Sequence, residues 1–92
     1  MASNDTPTPS VSRDCVETAY SFFHQKERIY IHSTLDWQKD DIEYAIESYV
    51  DDMNKELYLL LSNGRKDFLR NHTTFASDIS HAVETLEKIL FG

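Results

Sequence analysis

Cysteine, glycine, proline and positive charge are all scarce in this 92-residue chain, and each shortage excludes something. The single cysteine, Cys15, permits no internal disulfide, which fits a reducing compartment and makes the cytoplasm the default location. With only Gly64 and Gly92 there is no glycine-rich loop to cradle a phosphate. Both prolines fall within residues 1–10, amid Ser, Thr, Asn and Asp, a stretch too polar to offset the entropy of ordering and therefore expected to be a flexible tail. The segment MASNDTPTPSVS also lacks the basic start and apolar core of a signal peptide, and the longest apolar run, Leu57 to Leu61, is too short to cross a bilayer. A soluble chain with no membrane partner is the expectation.

Nine Lys and Arg stand against sixteen Asp and Glu, and the resulting net charge of −7 is concentrated in one place. Residues 1–35 carry −1, residues 36–63 carry −6, residues 64–72 carry +2 and residues 73–92 carry −2. Neutralising phosphates needs a surplus of Lys and Arg, so general nucleic-acid binding is disfavoured and a protein partner with a basic surface is the natural complement.

What the chain does contain is helical periodicity. Between Asp36 and Gly64, Ile42, Ala45, Ile46, Tyr49, Val50, Met53, Leu57, Leu60 and Leu61 recur at steps of three and four, one stripe at about 100° per residue. Asp36 suits an N-cap, Asp40 and Asp41 suit the positive end of the helix dipole, and Asn63-Gly64 suits a left-handed stop. One long helix over residues 37–63 is predicted. A second, over 11–32 with Ser10 or Ser12 as cap, has a wide apolar arc of Val16, Ala19, Tyr20, Phe23, Tyr30 and Ile31, extended by Val11, Cys15, Phe22 and Ile29. A third, over 74–91 with Thr73 or Thr74 as cap, has a stripe of Phe75, Ile79, Ala82, Val83, Leu86, Ile89 and Leu90. Short connections between the three predict an all-α fold, a small antiparallel three-helix bundle forming a single domain over residues 11–92. Its core is modest for the entropy it must offset, so a homo-oligomer is expected.

Candidate sites come from what this core leaves over. Trp37, Tyr44, Asp51 and Tyr58 follow one another at intervals of seven, opposite the core stripe, and Glu43, Glu47 and Asp51 run beside them. Large aromatics with polar tips favour interfaces, and like charges spaced four apart disfavour an isolated helix unless a cation meets them. The cation is either a partner's or one of Arg65, Lys66, Arg70, Arg13 and Arg28 folding back. Trp37, Tyr44, Glu47, Asp51 and Tyr58 are thus the candidate partner-binding residues of a non-enzymatic interaction module, an adaptor, regulator or inhibitor. The alternative is a nucleic-acid-linked regulator that contacts phosphates as a dimer through Arg65, Lys66 and Arg70 in the connector GRKDFLRNHT, where Phe68 and Leu69 are apolar anchors.

No catalytic residue, metal site or cofactor is predicted. His24, His32, His72 and His81 fall in no recognised metal spacing, and Cys15 on an apolar helix face reads as packing.

Overall fold

Ser12, of the two serines that could cap the first helix, is the one that does: its Oγ accepts a hydrogen bond from the Cys15 amide at 3.1 Å. The computed structural model describes residues 11–92, and the tail expected over residues 1–10 lies outside them. Helix α1 spans Arg13–His32, α2 Asp36–Asp52, α3 Lys55–Ser62 and α4 Phe75–Phe91, with a 3-10 turn at His72–Thr74 leading into α4. The fold is all-α, and no strand occurs among the described residues.

The single helix predicted over 37–63 is broken, so four α-helices stand among the described residues where three were expected. Met53 is extended (ψ 164°) and Asn54 takes the N-cap position of α3, its Oδ1 accepting from the amides of Glu56 at 2.9 Å and Leu57 at 3.1 Å. Two local forces act together here. Asp51 and Asp52 sit at the negative end of the α2 dipole, and the asparagine side chain offers the next amides a partner that a continuous helix would have supplied from its backbone. The expected stop is in place: Asn63 (φ 53°) and Gly64 (φ 87°) are both left-handed.

The break changes what each half packs on: α2 lies against α1, whereas α3 lies against α4. Ile42, Ile46 and Val50 are buried from α2, and Leu57 and Leu61 from α3. Leu60, expected in the same stripe, is 38% exposed because the stripe does not continue through Asn54. Along α1 and α4, the pairs Arg13–Leu90, Tyr20–Glu87 and Glu27–Ser80 climb one helix as they descend the other. Val16, Ala19 and Phe23 of α1 meet Phe75, Ile79, Ala82, Val83 and Leu86 of α4 in one core, which Val11, Phe68 and Leu69 complete. The wide arc predicted for α1 is occupied on a second side, where Phe22 stacks on Tyr49 of α2 with ring centroids 4.3 Å apart. Its far end is not covered: Ile29 and Ile31 are exposed.

Candidate functional site

The connector between α3 and α4 decides which charged groups remain available. It is held at its centre by Asp78, a carboxylate only 2% exposed in the first turn of α4. Arg65 donates to Asp78 through Nη1 at 2.8 Å and Nη2 at 3.3 Å, the Leu69 amide donates at 3.0 Å, and the Thr74 hydroxyl donates at 3.1 Å. The hydrogen bonds from Arg65 to Asp78, then the charge of Asp78, raise the guanidinium above its ordinary pKa. The bond from the Leu69 amide secures Leu69 in the left-handed region (φ 64°), a backbone state that costs a leucine about 1 kcal/mol or more and is tolerated because its side chain is buried. Tyr58 adds a second tie, its hydroxyl donating to the Phe68 carbonyl at 2.8 Å.

Of the three cations assigned to nucleic acid in the alternative reading, two are engaged within the chain. Arg65 is on Asp78, and Arg70 reaches back to Asp51 at 2.7 Å. Lys66 has no carboxylate partner among the described residues, and one lysine is a small phosphate footprint.

The line of four residues at intervals of seven does not exist as one face. Trp37, Tyr44 and Asp51 belong to α2, whereas Tyr58 lies beyond the break on α3, half-buried and bonded to the connector. Asp51 is exposed but paired with Arg70. Trp37 and Tyr44 are 61% and 73% exposed, and Glu47, also exposed, has no hydrogen-bond or ion-pair partner among the described residues. The outer face of α2 thus keeps two large aromatics and a free carboxylate on a helix with seven acids and one lysine.

One residue that the sequence left unassigned completes this region. Glu43, on the inner flank of the face, accepts from the Tyr30 hydroxyl at 3.2 Å and lies 2.9 Å from Nδ1 of His72. Hydrogen bonding to Glu43, and then its charge, raise the His72 pKa above its ordinary value. With Asp40, these two residues bring ligand-type atoms within 4.8 Å of one another, a set able to hold a divalent cation. Neighbouring positions in α2 hinted at Asp40 with Glu43, but His72 arrives from 29 residues further on and had no sequence signal.

Between α2 and the connector, Glu43, Tyr44, Glu47, Leu69, Arg70 and Phe75 line a cleft of about 180 Å³. A larger groove of about 480 Å³ opens at the break, bordered by Ser12, Cys15, Tyr49, Met53 and Asn54 among others. Among the described residues, no helix is long and apolar enough to cross a membrane. No family model, curated protein or solved structure matches this chain.

Proposed function

We propose that this chain is a non-enzymatic protein-interaction module that presents the outer face of α2 to a partner protein with a basic surface. The reading is carried by one observation: Trp37 and Tyr44, seven residues apart, stand exposed on a helix of net charge −6. Leaving an indole and a phenol in water forgoes burial of roughly 1.5 to 3 kcal/mol per large apolar side chain, and such rings supply hot spots when a partner covers them. The surrounding acids favour a cationic approach and set its rate more than its affinity. We also read α2 and α3 as two halves of one bent arm, so that the chain is a three-armed antiparallel bundle and the bend separates a partner-facing half from a core-facing half.

The nucleic-acid alternative draws no comparable support, since Arg65 and Arg70 already neutralise carboxylates. Self-association through the same aromatic face is the competing outcome, and one experiment separates the two. The full chain, tagged, is used to capture partners from its native cell beside the variants Trp37→Ala/Tyr44→Ala and Glu47→Lys, with eluates read by mass spectrometry and each protein's mass in solution measured by light scattering. A basic protein retained by the wild type and lost by both variants is the expected result. A variant panel that retains the same proteins as the wild type sinks the proposal, and a wild-type dimer that becomes monomeric in the aromatic variant turns the face into a self-association seam.

A further inference from the structure

His72 and Glu43 meet in a way that calls for a positive centre between them. Nδ1 of His72 lies 2.9 Å from both carboxylate oxygens of Glu43, a distance at which a bare imidazole lone pair would repel the carboxylate. Asp40 stands one helical turn back along the same side of α2, and one ligand atom from each of the three lies within 4.8 Å of the other two. The imidazole comes from the 3-10 turn ahead of α4, so the group is assembled from two separate elements rather than from a run of acids on one helix. No lysine or arginine supplies the positive centre. Lys39, the one basic residue of α2, lies over the Tyr30 ring at 5.7 Å, and Asp40 has no hydrogen-bond or ion-pair partner among the described residues. Behind the group, the Tyr30 hydroxyl donates to Glu43 Oε2 at 3.2 Å, the kind of outer hydrogen bond that orients a ligating carboxylate.

We infer that Asp40, Glu43 and His72 form a binding site for a divalent cation of the zinc class, a site that stands independently of the partner-facing reading of α2. Ligand atoms at about 2.0 to 2.2 Å from one tetrahedral zinc ion are about 3.3 to 3.6 Å apart. The trio closes to that spacing by rotation of two exposed side chains, Asp40 and His72, while Glu43, only 18% exposed and tied to Tyr30, stays in place. The imidazole sets the choice of metal: Mg²⁺ and Ca²⁺ take oxygen ligands, whereas one nitrogen with two carboxylates suits zinc, and three protein ligands leave a fourth position for water. A bound ion ties α2 to the turn that leads into α4.

The test uses the full chain, labelled with ¹⁵N and titrated with zinc chloride and, separately, with magnesium chloride, following the imidazole nitrogens by NMR and the heat by calorimetry. Zinc is expected to bind one to one and to shift the ring nitrogens of His72 saturably, while magnesium at the same concentrations leaves them in place. His72→Ala and Asp40→Ala, both at exposed positions where folding is not at stake, should each weaken zinc by at least about tenfold, the lower end of what the loss of even an outer partner costs a metal site. His32→Ala, exposed at the end of α1 and outside the group, should leave the affinity unchanged. Zinc binding that survives His72→Ala, or that His32→Ala weakens as much, is adventitious surface binding and overturns the site. Magnesium matching zinc, or no saturation by about 1 mM zinc, the range of roughly −4 kcal/mol, overturns it as well.

Discussion

Replacing Asp78 by alanine removes the acceptor around which the connector is organised, and the structure lets its cost be worked out. The Leu69 amide is buried and, among the described residues, gives its only hydrogen bond to Asp78 Oδ2 at 3.0 Å, so in the variant it is left unsatisfied. Hydrogen bonds to charged groups contribute about 1.5 to 3 kcal/mol, and orphaning a buried donor costs a similar amount. Arg65 adds little to this cost, because its side chain is 44% exposed and recovers water when released. Thr74 Oγ1 likewise turns to solvent. The expected destabilisation is therefore about 2 to 3 kcal/mol, a large part of the roughly 5 to 15 kcal/mol that holds a small domain together. With a urea dependence near 1 to 1.5 kcal/mol per molar, as suits a chain of this size, the unfolding midpoint falls by roughly 2 M. Asp78→Asn keeps an acceptor for the Leu69 amide and should recover at least half of the loss. Amide exchange at Leu69 should quicken in the alanine variant beyond the change at core amides of α1, because the left-handed backbone there loses its tie. An Asp78→Ala protein within about 0.5 kcal/mol of the wild type, an ordinary value for a surface substitution, would refute the claim that this carboxylate holds the connector.

Two further predictions follow from single contacts. Asn54→Ala removes the side-chain cap of α3 and should cost about 1 kcal/mol, seen as a fall of roughly 4 to 8 °C in Tm; an unchanged Tm would mean that packing alone maintains the break. For His72, the pKa in the folded chain is raised by Glu43 above the unfolded value of about 6.5, so its contribution to stability is fully present below that value and is lost as pH rises through the folded pKa. NMR titration of the imidazole should give a pKa above the ordinary value that returns toward it in Glu43→Gln, and a wild-type value at or below the ordinary one contradicts the pairing.

The elements that local chemistry controls were legible in the sequence: the Ser12 cap, the buried stripe of Phe75, Ile79, Ala82, Val83 and Leu86, the left-handed stop at Asn63-Gly64, and the burial of Phe68 and Leu69 in the connector. Each depends on residues within a turn or two of one another, where periodicity and side-chain type carry the information. The break at Asn54 was misread because the apolar spacing from Val50 to Leu57 is one that an unbroken helix also satisfies. Its cue, two acids at a helix end followed by an asparagine, is weaker than the stripe that runs across it.

For the candidate site the division is sharper. That α2 is acidic and carries Trp37, Tyr44 and Glu47 follows from the order of residues alone. Which of those charges stays open does not, because compensation comes from partners far away in the chain: Arg70 reaches Asp51 across 19 residues, His72 reaches Glu43 across 29, and Tyr58 leaves the line for the Phe68 carbonyl 10 residues on. An ion pair or a cleft is a relation between elements, and no local pattern encodes it. The sequence by itself determined helices, composition of faces and the sign of the charge; the tertiary structure decided which aromatics and carboxylates remained for a partner, since only the return of the connector along α2 spends some of them and frames Glu47 with Leu69 and Phe75.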